Sequence, residues 1–133
     1  MKKISFFLLL SILLSAVAFA QNSETYAVVV SFNSVCCGVP SNEPVMKLIK
    51  SFKKQYKIKK IAVDSIGPMG REGEYYLAFR LKEFSKSQKI KFIQQLKKTA
   101  VTMKDEASAE VRENETVDKA GFSRGTTVTS LKL

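Results

Sequence analysis

At 133 residues with a formal net charge of +10, two cysteines and no histidine, the chain has room for one domain. It lacks the side chain most used as general base and metal ligand. The basic balance favours anionic partners such as lipid headgroups, acidic polysaccharide or nucleic acid. None of the aromatic-interleaved nucleic-acid signatures is present, which sets specific nucleic-acid binding aside. Two cysteines are too few for a disulfide framework.

Residues 1–20 read as a cleaved signal peptide. Lys2 and Lys3 form the charged start, Ile4 to Leu14 is an almost unbroken apolar run, and Ala18-Phe19-Ala20 supplies the small-residue cleavage site. The run is too short for a membrane span, and Gln21, not cysteine, would begin the mature chain. The expectation is an exported protein, periplasmic or secreted and unanchored. The mature chain is expected to form one domain over 21–117 and a mobile tail over 118–133.

The first element is a strand, Tyr26-Ala27-Val28-Val29-Val30-Ser31-Phe32, β-branched and aromatic as a central strand should be. Tyr26, Val28, Val30 and Phe32 are expected on one face. A loop with the adjacent pair Cys36-Cys37 comes next. Ser41 or Asn42 then caps a helix with Pro44 in its first turn, and Val45, Leu48, Ile49, Phe52 and Tyr56 recur on one stripe. Residues 47–60 hold seven lysines and no acid.

Ile61 to Ile66 reads as a second strand, and Gly67-Pro68-Met69-Gly70-Arg71-Glu72-Gly73 as a turn. Tyr75 to Leu81 is a third strand with Tyr75, Leu77, Phe79 and Leu81 inward. Ser85 and Gln88 form a capping box, and the helix they open is expected to turn Ile90, Ile93, Leu96, Ala100 and Met103 inward. Ser108 to Val117 reads as a fourth strand, charged enough to suit a sheet edge. From Asp118 onward there is no periodicity.

The order β-α-β-β-α-β implies a ferredoxin-like split βαβ, an α+β fold with a four-stranded antiparallel sheet, two helices on one face and the other face open. This topology gathers Cys36, Cys37, Met69 and Met103 at one end, a thiol and thioether set suited to Cu(I) or another soft metal ion. In topology and loop position the chain resembles the heavy-metal-associated domains of copper chaperones and mercury-binding proteins. That family carries Met-x-Cys-x-x-Cys in the same loop; here the cysteines are adjacent and no methionine precedes them, so no binding residue carries over from the resemblance. The cysteine pair has other readings: a vicinal disulfide, a redox-labile pair, an intermolecular bridge, or one buried and one exposed thiol.

Gly70 and Arg71 read as a recognition loop or as plain turn chemistry, and Tyr76 as a partner surface on the open sheet face. No acid pair with split pKa values and no base for a cysteine nucleophile is evident, so an enzyme is not expected. The leading expectation is a small exported binding or interaction module with an unknown protein or anionic ligand, monomeric or weakly dimeric through the open face. Soft-metal or thiol-redox work is one alternative. An inhibitor or chaperone-like role is another, since propeptides of subtilisin-like proteases are similar in topology.

Overall fold

The computed structural model describes residues 23–35, 38–103, 108–122 and 124–133. Cys36, Cys37 and the segment expected to be a signal peptide lie outside them. The elements are β1 (Ser23–Asn33), α1 (Glu43–Tyr56), β2 (Ala62–Gly67), β3 (Tyr75–Phe79), α2 (Lys86–Thr102), β4 (Ser108–Asp118) and β5 (Thr127–Lys132). All five strands join one antiparallel sheet in the order β4-β1-β3-β2-β5. The sheet therefore has five strands, not four. The segment expected to be a tail forms a 3-10 turn over Lys119–Gly121 and then β5, which pairs along the whole of β2.

The helices form where local chemistry places them. In α1, Asn42 sits at the N-cap position, Pro44 lies in the first turn, and the Glu43 N–H is accepted by Ser41 Oγ at 3.2 Å. In α2 the capping box is present: Gln88 N–H donates to Ser85 Oγ at 3.3 Å and Ser85 N–H donates to Gln88 Oε1 at 2.8 Å. Val45, Ile49 and Phe52 of α1 and Phe92, Leu96 and Ala100 of α2 share one core cluster with Val28, Val30, Phe32, Val63, Leu77 and Phe79 of the sheet. Both helices thus cover the same sheet face.

On α2, Ile93, Leu96, Ala100 and Met103 pack on the core as expected, and Ile90 does not. Ile90 is half exposed, and Phe92 is fully buried in its place. Residues two apart on a helix point roughly 200° away from each other, so Ile90 and Phe92 cannot both face inward. The phenyl ring sets the rotation: it meets Phe52, Phe79 and Phe84 edge-on at centroid distances of 5.0, 5.6 and 5.3 Å, contacts aromatic pairs favour.

The second sheet face is not open. Tyr26, Val29, Ile66, Ala78 and Val117 are buried there, with Met69, Tyr76 and Phe122 packed on them. The turn after β2 and the segment after β4 roof this face. Tyr26, expected beside Val28, belongs instead with Val29. The β1–β4 ladder pairs Tyr26 with Glu115 and Val28 with Glu113, while Ala27 and Asn114 drop out of it. Asn114 has φ 50°, a left-handed conformation asparagine tolerates. Facing alternation breaks at that step, and the Tyr26 ring turns to the second face.

Candidate functional site

Of the residues singled out from sequence, Met69 and Met103 are not brought together. Cys36 and Cys37 lie outside the described residues. Met69 packs in the second-face cluster and Met103 against the helix-face core, so the sheet separates them. Arg71 is exposed at the tip of the turn between β2 and β3. The Glu74 carboxylate folds back over Gly70, where a Cβ would run into it; that neighbour is a flexible side chain, so the restriction is soft. The turn is pinned from the C-terminal segment, with Thr126 Oγ1 donating to the Pro68 carbonyl at 2.7 Å and Thr127 Oγ1 to that of Gly67 at 3.0 Å. Tyr76 lies part-buried under the Arg112 guanidinium, 5.4 Å from its ring centre. Arg112 also donates to Ser31 Oγ at 2.7 Å and to Glu115 at 2.9 Å. Among the described residues no group of three or more His, Cys, Asp or Glu is placed to hold a metal ion, and no helix is long and apolar enough to cross a membrane.

The most concentrated chemistry on the molecule lies elsewhere, at residues the sequence reading does not single out. Asp64, in the middle of β2, is 1% exposed. Its Oδ2 accepts from Arg80 Nη2 at 2.5 Å and from the Tyr26 hydroxyl at 2.8 Å, and its Oδ1 accepts from Ser130 Oγ at 2.7 Å. Glu24 completes the group: Oε1 accepts from Arg80 Nε at 2.6 Å, and Oε2 lies 3.1 Å from the Tyr26 hydroxyl and 3.2 Å from Lys119 Nζ. The single Tyr26 hydroxyl proton is shared between two carboxylates, and the Arg80 guanidinium lies 5.1 Å from the Tyr26 ring centre. Two carboxylates meet two cations here, so the group is neutral and ties β1, β2, β5, the end of β3 and the 3-10 turn together.

The protonation states are set by these contacts. The Arg80 hydrogen bond, against a smaller opposing effect of burial, holds Glu24 at about 2, well below its ordinary 4.5. For Asp64, burial pushes upward, but hydrogen bonds from Arg80, Ser130 and Tyr26 together outweigh it and the net direction is down. Tyr26 is pushed up, by burial first and by Asp64 next. Lowered carboxylates contribute stability that is whole above their unfolded pKa and is lost as the pH falls through the folded one. Unfolding free energy is therefore expected to hold from neutrality to about pH 4.5 and to decline as the pH drops towards 2. The raised tyrosine acts in the opposite sense, and stability should fall again above pH 10. Denaturant titrations across this range check both limbs. In Glu24→Gln the acid limb should be shallower, and an unchanged limb would refute the assignment.

No family model, curated protein or solved structure matches the chain.

Proposed function

We propose that the protein is an exported, non-enzymatic binding module that engages a polyanionic partner through the outer face of its helical layer. The observation that carries this reading is the charge of that layer. Helix α1 holds Lys47, Lys50, Lys53 and Lys54 against the single acid Glu43, and α2 holds Lys86, Lys89, Lys91, Lys97 and Lys98 with no acid. Lys47, Lys50 and Lys54 are exposed along one stripe of α1, and Lys91 reaches across to within 5.8 Å of the Tyr56 ring centre on α1. Ile90 and Val101 are 50% and 61% exposed on α2 and add apolar contact to a basic surface. In this reading the buried ionic group is structural: both carboxylates are ionised and hydrogen-bonded within it, so neither holds a proton to give as a general acid at neutral pH. Export is part of the proposal and rests on residues 1–20. The scaffold we infer is a ferredoxin-like kernel, supported by the β4-β1-β3-β2 order and the shared helix face, with β5 added at its edge.

The test is binding of the purified protein to phosphatidylglycerol vesicles and, separately, to a sulfated polysaccharide, over a series of salt concentrations. Each lysine near an anionic surface is worth on the order of 1 kcal/mol. Replacing Lys47, Lys50 and Lys54 together with glutamine is therefore expected to weaken binding about a hundredfold. The Lys47–Glu43 pair lost in that variant is largely solvated and contributes little to stability. Equal binding by the variant, or no binding to either polyanion, would sink the proposal.

A further inference from the structure

The two edges of the sheet are built differently. The outer strand β4 carries Glu110, Arg112, Glu113 and Glu115, charges that discourage pairing with another chain. The opposite edge, β5, runs Thr127-Val128-Thr129-Ser130-Leu131 without a charge until Lys132. Its ladder phase can be read from its end. Leu133 N–H donates to the Ile61 carbonyl at 3.1 Å and Ile61 N–H to that of Leu133 at 2.8 Å. Antiparallel alternation then directs the backbone groups of Leu131, Thr129 and Thr127 to β2 and those of Val128, Ser130 and Lys132 outward. The Val128 side chain is itself 38% exposed.

We propose that β5 is the dimerisation edge of this protein, pairing antiparallel with β5 of a second copy to form a continuous ten-stranded sheet. The identical strand is the occupant that the edge fits. A two-fold axis perpendicular to the sheet, passing at Thr129 or Ser130, sets outward N–H groups against outward carbonyls and keeps both helical layers on one side. Lys132 of each copy falls on the opposite side of that axis, so no like charges meet in the ladder. The second sheet face, roofed by Met69, Tyr76 and Phe122, is not needed for this contact. This surface is separate from the basic helical layer, and salt distinguishes the two. Screening should strengthen association of two positively charged copies and weaken polyanion binding.

Sedimentation velocity under reducing conditions, across micromolar to millimolar protein, reads the result. A reversible monomer–dimer equilibrium is expected. Val128→Pro removes one outward N–H and no bond to β2, and should raise the dimer dissociation constant by at least about tenfold. Val128→Lys keeps the backbone and adds charge to the edge; it should do the same, and it decides the matter if the proline variant does not fold. A protein monomeric at every concentration, or a dimer of unchanged affinity in Val128→Lys, would overturn the proposal.

Discussion

Replacing Phe92 with alanine is expected to lower the unfolding free energy by about 3–5 kcal/mol, the usual range for removing a buried phenyl ring. Phe92 is fully buried and sits among the rings of Phe52, Phe79 and Phe84. Phe52 and Phe84 are themselves stacked at 5.4 Å, so the void would lie between rigid rings that cannot collapse into it. Ile90→Ala, two residues away on the same helix, is expected to cost less than about 0.5 kcal/mol, because the side chain is half exposed. Chemical denaturation of the two variants side by side measures the rotation of α2. Equal losses, or a larger loss at Ile90, would mean that the helix presents the other face.

Asp64→Ala is expected to cost a comparable amount, about 3 kcal/mol, for a different reason. Removing one partner of a buried ion pair costs roughly 3–5 kcal/mol because the other charge is stranded. The Arg80 side chain is 23% exposed, and the water it retains places the loss at the low end. Tyr26 and Ser130 lose an acceptor as well. The cost belongs to the stranding and not to the pair as such. Replacing Asp64 and Arg80 together with leucine and methionine should therefore recover much of it. A double-mutant cycle by urea denaturation supplies the coupling, and strict additivity of the two losses would refute this account.

Much of the scaffold is legible in the sequence because its elements bury one face and so carry a period. The α1 stripe from Val45 to Tyr56, the alternation of β3 and the Ser85–Gln88 box all stand where the pattern puts them. Strand β5 carries no such signal. Residues 127–130 are exposed, and the strand is held by its ladder to β2 and by the Asp64–Ser130 hydrogen bond, neither of which imposes a pattern on its own residues. On α2 the pattern misleads at Ile90 alone, whose expected place in the core Phe92 takes, while Ile93 packs against the core as the spacing has it.

The ionic group is hidden for a related reason. Tyr26 and Ser130 lie 38 and 66 residues from Asp64, and no spacing rule reaches that far. The one local hint is an aspartate inside the apolar run Ile61-Ala62-Val63-Asp64-Ser65-Ile66, since a carboxylate so placed must be paired. Met69 and Met103 illustrate the converse. Topology puts their loops at one end, but the turn holding Met69 bends onto the second face while Met103 stays with the helices.

The strand order sets a timetable for folding. The centre of the sheet, β1, β3 and β2, is encoded in residues 23–79, whereas both outer strands come from residues 108–132. A chain growing from its N-terminus makes its inner strands first and holds them with open flanks until the last segments emerge. Closing such long loops slows folding, and open flanks expose an unfinished chain to pairing with its neighbours. Asp64 spends that interval without the hydroxyl of Ser130. The proposed export would make use of such a delay, because a chain threads through a membrane before it folds.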